Sequence, residues 1–300
     1  MAKVSFAEVA ASCGQHLESR NIVTGVSALG APQDHTLAFA KTWNGQIEHT
    51  VRAHPKTLFL VPDAAPEGLP NAVRVANPRL VFARVVRDYL ATGREATVSP
   101  TAFVGEDVVL GDGVHVGHFA VLDDGVVVGN GCFIGHHAVL ETGCVLGERV
   151  RIGSHTSIGG PGFGFEVEAD GTPIRIPHQG GVTIGNDVEI GSHVTIAQGT
   201  INPTVLSDHV KIDDAVFIAH NVTVGEGAFI IAGAEVSGGV TIGARAWISP
   251  EATIINQAHI GDDALVGLGA AVVKDVAPGD VVAGVPAKVL GRRYPDRTPT

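Results

Sequence analysis

The sequence predicts a mainly β protein, a long parallel β-helix preceded by a small α/β domain. Three observations carry this. An aliphatic residue recurs every six positions through most of residues 98–266. A small residue follows each one four places later. The composition is light: Gly numbers 39, aromatics make up 5% and charged residues 17% of 300 residues, against about 25% charged in an average domain. Disorder needs low hydrophobicity and high charge, and a coiled coil needs abundant Glu, Lys and Leu, so both are excluded.

The repeat starts at Val98 and runs through Val104, Leu110 and Val116 to Ile158. It resumes at Ile184, Ile190 and Ile196, and again from Leu206 to Val266. Six is no helical period. It suits a short strand plus a turn, with three hexads making one triangular coil. The first residue of each hexad fills the prism, and the small fifth residue lets the chain pass the corner. The fourth position is rich in residues that tolerate positive φ, such as Gly113, Asp187, His193, Asn221 and Gly239. About eight coils result, stacked at ~4.8 Å. Cys132 and Cys144 take the small fifth position and read as core. Two interruptions break the register. Residues 159–182 carry turn signals around short alternating runs and predict a hairpin loop leaving the coil. The spacing from Ile196 to Leu206 is ten instead of six.

Residues 1–96 lack the repeat and read as a separate domain, with the β-helix over 97–290 and a tail at 291–300. Ser5-Phe6-Ala7-Glu8 is a capping-box pattern opening a helix to about Cys13. Strand-like runs follow at 22–26, 57–61 and 72–76. Asn77-Pro78 reads as an N-cap with Pro at N1, and the helix runs to about Ala91 with Gly93 beyond it.

The net charge is -11, which argues against nonspecific nucleic-acid binding. Three cysteines make no disulfide framework, which points to a reducing, cytoplasmic setting. No apolar run reaches about 18 residues and MAKVSFAEVA lacks a signal-peptide core, so neither membrane insertion nor export is expected.

The hexad pattern resembles the hexapeptide-repeat family, whose members form left-handed β-helices, mostly homotrimers, and are mostly acyltransferases. The N-terminal stretches SFAEVAASCG, TLAFAKTW and VRVANPRLVFARVVRDYL resemble the uridine-binding domain of the UDP-3-O-acylglucosamine N-acyltransferases of lipid A synthesis. The resemblance makes Phe39 the aromatic that stacks on uracil, with Trp43 near it. The Asn and Tyr that follow that Phe in the family are unmatched, with Thr42 and Gly45 near their places.

KIDDAVFIAHNVTVGEGAF (211–229), GFGF (162–165) and IRIPHQGGVTIG (174–185) are similar to the catalytic segments of the same enzymes. The His of IAHN, here His220, is implied as general base. A neutral imidazole suits removal of a proton from an amine near pH 7. Gly238 lies 18 residues on, one coil along on the same face, and its N–H is the implied oxyanion donor. The family's second histidine falls on Gln257. Asp213, Asn221, Phe163 and Phe165 complete the expected substrate surroundings, with Asp213 or Asp214 as candidate orienters of the imidazole. His137, His155 and His193 share the fourth hexad position and read as corner residues. No His-x4-His pattern occurs within the hexad repeat, which disfavours a hexapeptide carbonic anhydrase, and no metal is expected.

VGLGAAVVKDVAPGDVVAGVPAKVLGRR resembles the final coil of acetyl-CoA-dependent sugar acetyltransferases, whereas the lipid A enzymes read an acyl carrier protein with terminal helices. Gly267, Gly269, Ala270, Lys274 and Lys288 are the implied CoA contacts. The expected function is transfer of an acyl group from acyl-CoA, typically acetyl-CoA, to the amine of a nucleotide-linked amino sugar by a homotrimer without a tightly bound cofactor. Such sugars feed lipopolysaccharide O-antigen, capsule or glycoprotein synthesis. The alternatives are the lipid A N-acyltransferase with its carrier-protein donor, and a non-catalytic scaffold that binds sugar nucleotides.

Overall fold

The computed structural model describes residues 3–91 and 95–294. The chain divides into two compact units, Met1–Arg94 and Glu95–Thr300. In the first, four parallel strands lie in chain order: Gly25–Val26, Thr36–Phe39, Leu58–Val61 and Ala72–Arg74. Alternation within Leu58–Val61 feeds both faces, Leu58 and Leu60 packing with Leu37 and Phe6, Phe59 and Val61 with Ala38 and Val51. The helix Phe6–Ser12 starts on a complete capping box between Ser5 and Glu8. Pro78–Val85 starts on Asn77, whose side chain accepts from Leu80 N–H, and continues as a wider turn to Leu90. Gly93, expected to end that helix, lies outside the described residues. The strand Thr36–Phe39 and the helix Gly45–Ala53 went unread in the sequence. That helix opens on a glycine and buries only Val51, so its apolar stripe is too thin to register.

The second unit is a three-sided parallel solenoid. Its first face starts with Thr97–Val98, its second with Phe103–Val104 and its third with Val109–Leu110. Each strand pairs with the one a coil away, as Val121 does with Val139 and Leu122 with Leu140. Position-one aliphatics such as Ile134, Ile158 and Ile230 are fully buried. The first coil has a neighbouring coil on one side only, and its Val98 and Val104 stay 44% and 39% exposed. Cys144 is core; burial pushes its thiol up to about 12, which keeps it protonated and unreactive. Corner residues take positive φ, as in His137, His155 and His193 (58°, 59°, 58°). These three rings stack at 4.8 and 5.0 Å, so the chain returns from the loop in register.

A second device holds the coils together. In several coils the amide at the third hexad position is capped by the third-position side chain of the next coil. Glu106 N–H donates to Asp124, Asp112 to Asn130, Glu148 to Asn186, Ser192 to Asp214 and Ala244 to Asp262, at 2.6–2.8 Å. The last strand, Lys288–Arg292, turns back antiparallel on Asp280–Ala283 and so passes the expected end at 290. Of the expected tail, 295–300 lie outside the described residues.

Candidate active site

Both interruptions of the repeat leave the same corner, between the second and third faces. The first carries an antiparallel hairpin, Phe165–Val167 against Pro173–Arg175. The second spans the gap between Thr195–Ala197 and Thr204–Leu206. One coil further along that corner stands His220, followed by Gly238 and then Gln257. The first insertion, the second face and these corner residues enclose a cavity of 760 Å³ that includes Phe163, Phe217, His220, Asn221, Gly238 and Gln257.

His220 is held by Asn221. Thr200 N–H donates to Asn221 Oδ1 at 2.7 Å, which turns the amide nitrogen to Thr200 Oγ1 at 3.0 Å and to His220 Nδ1 at 3.1 Å. Nδ1 therefore accepts, and the neutral ring keeps its own proton on Nε2, over Gly238. Burial, and next the charge that His178 would carry, hold the His220 imidazole below the ordinary 6.5. It is thus neutral near pH 7. NMR titration of the His220 ring should give a midpoint below 6.5 and, in His178→Gln, a midpoint nearer 6.5. A wild-type midpoint at or above 6.5 would refute this electrostatic account.

Gly238 leaves room for that ring. A Cβ there would lie 2.8 Å from His220 Cε1 and 2.9 Å from Nε2. Its N–H is also open. Asn256 occupies the capping place of the next coil, yet Gly238 N–H makes no hydrogen bond among the described residues.

His178 was quoted in the sequence but given no role. It is 8% exposed, and its Nδ1–H donates to Ile176 O at 2.9 Å. Its Nε2 is buried without a partner among the described residues, and the ring meets His220 edge-on at 5.1 Å. Gly162 and Gly164 leave room for it: a Cβ at Gly162 would come within 2.7 Å of both His178 Nε2 and the His220 side chain, and one at Gly164 within 2.9 Å of His178 Cε1. A loop residue has no place in the hexad, so periodicity gives it no address.

The other expected site residues divide. Phe163 stands 86% exposed in the cavity wall; Phe165 lies behind it at 5.0 Å, under Arg175, and does not line the cavity. Asp213 is on the corner between the first and second faces. Its carboxylate accepts from the N–H groups of Asp214 and Ala232, and Asp214 caps Ser192. Neither orients the imidazole; Asn221 does. Phe39 packs beside Phe82 in one core cluster and Trp43 against the cluster on the other face of the sheet, so the two do not form one binding wall. At the last coil, the N–H groups of Gly267, Gly269 and Ala270 donate to Val282, Pro250 and Gly267 carbonyls. Of the five expected contacts, Lys274 and Lys288 present exposed side chains there.

Solved structures share this solenoid. The UDP-N-acetylglucosamine acyltransferase of Campylobacter jejuni aligns with TM-score 0.61 and 21% identity over 68% of this chain and 79% of its own. That of Francisella novicida aligns with TM-score 0.61 and 25% identity over 66% and 71%. The solenoid is a left-handed β-helix. Sequence relatives are the UDP-3-O-acylglucosamine N-acyltransferase 2 of Legionella pneumophila strain Paris, 52% identical over 130 residues, and the UDP-3-O-acylglucosamine N-acyltransferase of Coxiella burnetii strain RSA 493, 39% identical over 185 residues. The first match covers 43% of this chain and 38% of the relative, the second 54% and 53%. The chain thus spans about half or less of the length of these curated relatives. Residues 86–205 match the family described as the GMPPB C-terminal domain.

Proposed function

We propose that the chain is an N-acyltransferase that moves an acyl group from acyl-CoA to the amine of a nucleotide-linked amino sugar. The observation that carries this is a neutral His220 held over the open amide of Gly238 in one cavity. The amine nitrogen attacks the thioester carbon, and Gly238 N–H receives the developing oxyanion. The amine proton passes to His220 Nδ1, which Asn221 yields. As the tetrahedral intermediate collapses, the C–S bond breaks and His220 returns the proton to the CoA thiolate. The N-terminal unit holds the nucleotide, with Phe39 as the stacking residue, while Lys274 and Lys288 meet the CoA phosphates. The chain acts as a cytoplasmic homotrimer.

The names of the relatives support a second reading, in which the acceptor is UDP-3-O-acylglucosamine and the donor an acyl carrier protein. One assay separates the two. Purified protein is given acetyl-CoA or acylated carrier protein, with a panel of UDP- and dTDP-amino sugars, and products are read by mass spectrometry. Transfer from acetyl-CoA is expected. Transfer from the carrier protein alone favours the second reading, and no transfer from either donor rejects both.

A further inference from the structure

The cavity beside His220 is lined by neutral residues with one exception, Glu235. It belongs to the strand Glu235–Val236, and while Val236 is buried in the prism, Glu235 faces outward. In the ladder of the second face it follows Thr195 and Phe217, which line the same cavity. Three residues further along the chain is Gly238, whose amide is open. No Lys or Arg is among the lining residues, and His220 is neutral near pH 7. An acidic side chain therefore dominates the charge met by anything entering.

We infer that Glu235 is a specificity-determining residue that seats the acceptor as an ammonium cation and so favours amines over hydroxyls. This rests on the acyltransferase reading above and names its acceptor class. Phosphates of donor and acceptor are repelled from this wall and must lie outside it. A hydroxyl gains nothing from the carboxylate, whereas a protonated amine gains an ion pair in a partly enclosed site. The bound ammonium gives one proton to solvent; the free amine then attacks, and its second proton goes to His220.

The test compares UDP-glucosamine, which carries a free amine, with UDP-N-acetylglucosamine, which does not. Calorimetry on the full chain should give about fivefold tighter binding of the amine at low salt. The preference should shrink at about 0.5 M salt, vanish in Glu235→Gln and largely return in Glu235→Asp. In turnover, Glu235→Gln should raise the acceptor KM more than it lowers kcat. Equal binding of the two sugars by the wild type, binding of neither, or a preference that survives in Glu235→Gln overturns the assignment. A charge preference that depends on Glu235 in a protein that transfers no acyl group upholds the assignment and defeats the acyltransferase reading.

Discussion

Replacing His220 by alanine should lower kcat/KM for acyl transfer by about three orders of magnitude. KM for both substrates should stay within a few-fold, because the loss falls on proton transfer and not on binding. The melting temperature should move by no more than about 2 °C, since the ring is only half-buried and leaves its cavity neighbours in place. Steady-state kinetics beside a thermal melt decide it. An alanine variant with more than about a tenth of wild-type activity would remove His220 from the role of base, whereas absence of transfer by wild type and variant alike would favour the non-catalytic scaffold.

Gly238→Ala comes second and acts differently. The backbone of Gly238 is not in the left-handed region, so alanine fits it without strain. The added methyl instead meets the His220 ring at 2.8–2.9 Å. Either the ring swings away from Asn221 or the methyl fills the space where the oxyanion forms. A fall of about 10²-fold in kcat is expected, with the melt almost unchanged. Its neighbour Gly239 has φ 70°, where a Cβ is strained. Gly239→Ala should therefore cost stability before it costs chemistry. If the two variants behave alike, the special standing of Gly238 is lost.

The solenoid was legible because each of its coils repeats one steric problem, an aliphatic in the prism and a small residue at the corner. His220 was legible through the IAHN segment that resembles the family's catalytic one, and the hexad then places Gly238 one coil along. What failed has a common physical origin. Asp213 is near His220 in sequence, but seven residues carry the chain around to another corner of the prism. His178 and Thr200 sit in the insertions, where no period applies, and only their hydrogen bonds reveal them. Phe39 and Trp43 are close along the chain yet fall on opposite faces of a sheet. At Gly267, Gly269 and Ala270 the amides are not available as donors to CoA, because carbonyls of the same and adjacent coils accept from them.

The capping ladder bears on where a donor can stand. Along the solenoid, several amides at the third hexad position are closed off by a side chain from the coil above, while others, Gly238 among them, make no hydrogen bond among the described residues. The cap is thus a choice made coil by coil and not a property of the fold. Adding or omitting one would move an open donor by ~4.8 Å, a ready way for one scaffold to serve acceptors of different length.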